Sequence, residues 1–206
     1  MILFFNRPPW MICDNAAHLL EYALDTLHIT AIPRRFTWNG GTPAAIDLGA
    51  TVLGMQRVIE LMMADGQLTQ KDSFGFAMAN PTAVLSEVWD DPSKLIAMVM
   101  YWGSDGLKYA ANACRKIRPS ARTGQDSETL RRKHPELFRD KVESVEADGT
   151  FTWGDFPYGG ATYLTVEGHL LLGAVSALPQ VEDPIASRLL TGMAGLAMHR
   201  SDEMLA

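Results

Sequence analysis

The chain predicts a single α/β (α+β) domain with an antiparallel-rich sheet and helices packed against it. Three observations lead there. Apolar residues switch between helical and strand spacing along the chain, two-residue turn signals join neighbouring strand candidates, and a well-marked apolar helix follows the last of them. With 206 residues, 47% hydrophobic and 20% charged, there is material for one sizeable core, in a composition unlike that of disordered chains. Residues 1–40 read as an N-terminal helical arm and residues 41–206 as the domain proper.

In the arm, Asp14 is placed to cap a helix running to about His28, with Leu19, Leu20, Ala23, Leu24 and Leu27 on one face and His18, Glu21 and Asp25 on the other. Pro33 and Asn39-Gly40-Gly41 then break the chain. From Thr42 or Pro43 to Asp65 a second helix is expected. Its polar residues recur at Asp47, Thr51, Arg57 and Glu60, a narrow stripe that implies burial on most of the circumference, and Asp65-Gly66 supplies the stop. Residues 74–79 and 82–89 read as strands around an Asn80-Pro81 turn, and residues 95–102 as a third, wholly apolar strand.

Ser104 or Asp105 opens a helix whose apolar face is Leu107, Ala110, Ala111, Cys114 and Ile117, with Pro119 as its expected end. Residues 120–141 are polar and basic, with a short helix near Pro135–Phe138. Asp148-Gly149 joins residues 142–146 to 150–153 as a hairpin, and Glu167-Gly168 joins Ala161–Val166 to residues 170–178 as another. The last strand is apolar on both faces and is expected in the middle of the sheet. In the final helix Asp183 is the expected N-cap and Pro184 the first residue, with Ile185, Leu189, Met193 and Leu196 as the core stripe.

Composition excludes several classes. The apolar run at residues 1–5 is too short for a signal-peptide core, and no stretch reaches the roughly 18 apolar residues of a membrane span. Two cysteines, Cys13 and Cys114, make no disulfide framework. A cytoplasmic protein without a membrane partner is expected. Net charge is −6, yet residues 108–141 hold ten Lys/Arg against four acids, about +6, leaving about −12 for the rest. Such a segment reads as a solvated helix face and loop, or as a patch facing a carboxylate, phosphate or propionate. A nucleic-acid partner is not expected, because the molecule is acidic and the basic stretch lacks interleaved aromatics.

The sequence also lacks a GxGxxG after a strand, a Gly-Lys-Ser/Thr phosphate loop, G-x-S-x-G and H-E-x-x-H. The histidines at 18, 28, 134, 169 and 199 form no local metal cluster, so no metal is expected. His169, beside a hairpin turn, is a candidate ligand or acid–base group. His18 is a candidate acting in trans, and His134 lies in a solvated basic run. Cys114 sits on an apolar stripe and reads as an inert core thiol. Arg115, Lys116, Arg118 and Arg122 are candidates for holding an anion, with the Pro119 turn aiming Arg118 and Arg122 at one carboxylate.

The segment Trp153-Gly154-Asp155-Phe156-Pro157-Tyr158 is unusually aromatic for a connection, and Trp102 joins it in the aromatic set. It predicts a pocket wall built from Trp153 and Phe156, with Asp155 and Tyr158 as acid–base groups. Gly159 and Gly160 would let backbone N–H groups approach a ligand. The alternatives for this loop are a hydrophobic plug on the sheet edge or an interface between copies.

Residues 158–197 carry a family resemblance. Gly159-Gly160 before the hairpin, Gly168 in its turn, the small-residue strand Gly173-Ala174-Val175-Ser176 and Asp183 at the last helix resemble the GlcG/HbpS-like family, which includes the C-terminal domain of PduO-type proteins. The Ala/Lys-rich segment 110–116 leading to Thr123, and residues 74–89, extend the resemblance over roughly residues 43–200. It implies a profilin-like, five-stranded, mostly antiparallel sheet, assembly into homo-oligomers, and haem or another tetrapyrrole as a possible cofactor. Three functions compete: a binding module for haem, a tetrapyrrole or a flat aromatic carboxylate; a cofactor-independent lyase or isomerase moving protons on a small aromatic or keto acid; and an assembly component whose methionines (Met55, Met62, Met63, Met193) serve packing alone.

Overall fold

Strand pairing in the computed structural model brings segments about 100 residues apart into one sheet. The structure describes residues 48–80, 87–138, 153–156 and 158–205, preceded by three two-residue strands, Trp10–Met11 (β1), Phe36–Thr37 (β2) and Pro43–Ala44 (β3). β2 and β3 pair only with each other. The main sheet has four full strands: Phe74–Ala79 (β4), Ile96–Trp102 (β5), Ala161–Val166 (β6) and His169–Ser176 (β7). Their order is β5-β4-β7-β6, every pair antiparallel, with β1 laid on the outer edge of β5. The α+β class is as expected; the fifth strand consists of two residues. The helices are Leu48–Ala64 (α1), Pro92–Leu95 (α2), Gly106–Thr123 (α3), Ser127–Lys133 (α4) and Asp183–Leu205 (α5), with a 3₁₀ turn at Pro135–Phe138. Among the described residues no helix is long and apolar enough to cross a membrane.

The two faces of the sheet are built from different residues. Successive side chains of a strand point to opposite faces. One face carries Phe74, Phe76, Met78, Met98, Met100, Trp102, Leu171 and Val175, covered by α1 (Met55, Ile59, Met63) and α5 (Ala186, Leu190, Ala194). On the other, Ala77, Ala79, Val99, Tyr101, Leu172 and Ala174 meet Ala110, Ala113, Cys114 and Ile117 of α3. With both faces covered, the strands read as continuous apolar runs, and β4 and β5 are buried at every position. Phe74 stacks on its cross-strand partner Trp102 at 4.3 Å between centroids. The small face lets α3 lie unusually close: a Cβ on Gly75 would stand 2.2 Å from the backbone nitrogen of Ala110.

Several expectations change. Residues 81–86, 139–152 and 157 lie outside the described residues, and with them most of the strand expected at 82–89 and the hairpin at 142–153; the arm helix after Asp14 does too. Residues 87–90 form a turn, and β4 pairs with β5 and β7 on its two sides. α1 begins at Leu48 rather than Thr42 or Pro43, since Pro43–Ala44 are extended. From Gly54 on it buries one face only, leaving Leu61 57% exposed, because α1 lies on one side of the sheet beside α5. β7 is an inner strand, as expected. α5 is rotated from its predicted stripe: Ala186, Ser187, Leu190, Thr191 and Ala194 are buried, while Ile185 and Leu196 are exposed. Close approach selects small residues here. Ser187 Oγ bonds Thr162 Oγ1 and donates to the Gly173 carbonyl, where a Cβ would collide with Thr191.

α3 also runs through Pro119 instead of ending there. Its end is held by side chains: Thr123 Oγ1 donates to the Pro119 carbonyl, Tyr163 Oη to that of Ser120, and Gly124, at φ +67°, closes the last turn. α4 was not foreseen within the basic stretch.

Candidate functional site

Where β7 ends, the chain turns through residues 177–182 into α5, and a cavity of about 390 Å³ opens between this turn, α3 and residues 156–159. Helical spacing places Lys108, Asn112 and Lys116 at successive i, i+4 positions, so one edge of α3 lines the cavity. Tyr109, Phe156 and Tyr158 add aromatic surface, and Ser176, Ala177, Leu178, Gln180 and Asp183 form the opposite wall.

Lys116 is the central residue. It is 1% exposed, and its Nζ donates to Asp183 Oδ2 at 2.6 Å and to the Val175 carbonyl at 2.8 Å. An ammonium has three donors, so one remains uncommitted. Asp183 in turn accepts the Leu178 N–H on Oδ1 at 3.1 Å. It is therefore not the expected N-cap: the first turn of α5 bonds to the Glu182 carbonyl, and the Asp183 carboxylate faces the lysine instead. Burial pushes the Asp183 carboxyl up to about 6, with the Lys116 charge opposing. Burial likewise holds the Lys116 ammonium below its usual range, with Asp183 opposing. In both, desolvation outweighs the attraction, as in a costly buried pair.

One turn away, Asn112 is buried with its Oδ1, a hydrogen-bond acceptor, lacking a partner among the described residues. Buried amides are rarely left so. The cavity wall holds strain as well: Ala177 adopts φ +125°, a region L residues seldom visit. Gly160, at φ +123°, passes so close that a Cβ would stand 3.0 Å from Lys116 Nζ and 2.6 Å from the Val175 carbonyl. Its lack of a side chain makes room for the ion pair.

The predicted arginine clamp is occupied by the chain itself. Arg118 and Arg122 each hold one oxygen of Asp155, at 2.5 and 2.6 Å, and Arg118 also pairs with Asp90. Arg115, 1% exposed, donates to the Gly154 and Asp155 carbonyls and lies 5.6 Å from the Phe156 ring centroid. These contacts fasten residues 153–156 to α3. Phe156 is thereby placed against Lys116, 6.0 Å from Nζ, with Tyr158 tilted against it.

Of the sequence candidates, Phe156, Tyr158 and Gly159 line the cavity, and Gly160 borders it. Arg115, Arg118, Arg122, Trp153 and Asp155 are not among its lining residues. His169 opens β7, seven residues before Ser176, roughly 23 Å along an extended strand from the cavity. His18 lies outside the described residues, and His134 is exposed beside Glu136. Burial pushes the Cys114 thiol up to about 12, as suits a core cysteine. Among the described residues no group of three or more His, Cys, Asp or Glu is arranged to hold a metal. Asn112 and the facing role of Asp183 were missed; the signal was a polar pair, Asn112 and Lys116, interrupting an Ala-rich helix.

No protein-family model matches this chain, and no curated protein matches it. Among solved structures it is similar to the crystal structure of Ybr137w protein, with 13% sequence identity, 91% of this chain and 98% of that chain covered, and a TM-score of 0.43.

Proposed function

We propose that the chain is a GlcG/HbpS-like small-molecule-binding protein whose ligand is a small, flat carboxylate held in the cavity beside Lys116. The observation that carries this reading is a buried lysine with a donor to spare among the described residues, beside the buried Oδ1 of Asn112. The ammonium donates to a carboxylate, and Asn112 Oδ1, an acceptor, takes a hydroxyl borne by the same small ligand. Phe156, Tyr158 and Tyr109 supply surface for a flat body, and Lys108 stands on the same helix edge toward solvent. A volume of about 390 Å³ belongs at the small end of ligand sites.

Haem, the other ligand the resemblance implies, finds poorer support. Among the described residues the cavity lining holds no histidine, cysteine or methionine, and of the usual axial ligands it offers tyrosine alone, at Tyr109 and Tyr158. The test is a thermal-shift and calorimetric titration with benzoate and pyruvate, run beside a haemin titration followed by absorbance. We expect saturable benzoate binding, one per chain, lost when Lys116→Met is combined with Asp183→Leu. A saturable Soret shift with haemin and no response to either acid would overturn the carboxylate reading in favour of a tetrapyrrole.

A further inference from the structure

We propose that Lys116 is a carbonyl-capturing nucleophile, its Nζ condensing with the aldehyde or ketone of a small carbonyl acid while Asp183 relays the proton. This rests on the cavity being a ligand site and adds a reaction to it.

The geometry suits an amine. Nζ has two fixed acceptors, Asp183 Oδ2 at 2.6 Å and the Val175 carbonyl at 2.8 Å. A neutral amine has two N–H donors and one lone pair; with the proton on Asp183 Oδ2, rotation about Cε–Nζ turns the lone pair from that O–H toward the cavity while one N–H keeps the Val175 carbonyl. Moving one proton from Nζ to Asp183 removes both buried charges at once. Burial drives the pair that way from each side, raising the carboxyl and lowering the ammonium. A desolvated lysine in a cavity is a recognised means of activating this nucleophile. A solvated surface lysine stays protonated near neutral pH.

The step balances as follows. Asp183 takes a proton from the Nζ ammonium, and the freed lone pair attacks the carbonyl carbon. The C–N bond forms as the C=O π pair moves to oxygen, which Asp183 protonates to give the carbinolamine. Asp183 takes a second proton from Nζ and passes it to that hydroxyl, which leaves as water as the nitrogen lone pair closes the C=N bond, the third proton staying on the protonated imine. One carbonyl and one amine give one imine and one water, with no redox partner. Asn112 Oδ1, one helical turn from Lys116, is placed to accept from the carbinolamine hydroxyl.

The experiment uses the full chain with para-carboxybenzaldehyde at neutral pH, sodium borohydride to reduce any imine, and peptide mapping by mass spectrometry. The expected result is one saturable adduct per chain, on Lys116, suppressed by excess benzoate and absent in Lys116→Arg. Mapping the unmodified sequence makes the outcome independent of whether that variant folds. Adducts confined to exposed lysines such as Lys94 or Lys133, or no adduct at all, overturn the proposal. In that event a surviving benzoate thermal shift leaves the binding site standing, whereas its absence removes the binding reading too.

Discussion

Replacing Lys116 with Met and Asp183 with Leu, singly and together, separates what the buried pair contributes to stability from what it does in the cavity. Each single change leaves a charge in a site where the wild-type groups are almost wholly buried, and stranding one partner of such a pair costs about 3–5 kcal/mol. Asp183→Leu also frees the Leu178 N–H, adding about 1 kcal/mol. The double variant has no charge to strand. Apolar replacement of a whole buried pair is often neutral or stabilising by about 1–4 kcal/mol, so the double should sit close to wild type or above it. The coupling in the double-mutant cycle is then several kcal/mol, far beyond the additivity of independent sites. Urea unfolding followed by tryptophan fluorescence and circular dichroism measures all four proteins. Two single variants within 1 kcal/mol of wild type, or a double as unstable as the sum of the singles, would falsify the description of Lys116 and Asp183 as a desolvated pair. The folded double variant should also have lost benzoate binding.

Four further outcomes follow from the same structure. Asp183 titrates at about 6 when folded and near 3.8 otherwise, so between these values the folded state binds more protons and the stability of wild type relative to the double variant should fall as pH rises from 4 to 6. The shift corresponds to about 3 kcal/mol, readable from urea midpoints at four pH values; a flat difference refutes it. Gly75→Ala should lower stability by about 3 kcal/mol or more, because its Cβ has α3 backbone and not a yielding side chain 2.2 Å away. Gly54→Ala, in α1 with Met193 Cε at 3.8 Å its one neighbour within 4 Å among the described residues, should raise stability by up to about 1 kcal/mol, and the two together make a matched control in thermal melts. Ala177→Gly should stabilise by about 1 kcal/mol by relieving φ +125°; unchanged or lower stability argues that the conformation is not strained.

What the sequence made legible was local. The β6–β7 hairpin announced itself through Glu167-Gly168, β4 and β5 through unbroken apolar runs, and the core face of α3 through Ala110, Cys114 and Ile117, because turn chemistry and periodicity act over a few residues. Burial on α1 and α5 was misjudged for a different reason. Apolar character marks what is able to be buried, while the side that is covered depends on how near the neighbour comes, and α5 meets the sheet through Ser187 and Thr191 rather than Ile185 and Leu196. The cavity depended on partners 67 residues apart in Lys116 and Asp183. The arginines of α3 did signal a carboxylate, but periodicity carries no information on whether that carboxylate belongs to a ligand or, as with Asp155, to the chain.

The contact of Gly75 with the α3 backbone has a consequence for how this cavity changes over mutation or by design. With no side chain between helix and strand, α3 has no slack to slide or tilt, and the spacing of Lys108, Asn112 and Lys116 from the end of β7 is rigidly held. The opposite boundary is made of a loop fastened by ion pairs and a turn of six residues, both free of the sheet ladder. Ligand preference is therefore expected to be retuned through Phe156, Tyr158, Ala177 and Gln180, with the α3 edge kept as an invariant ruler against which any new ligand must fit.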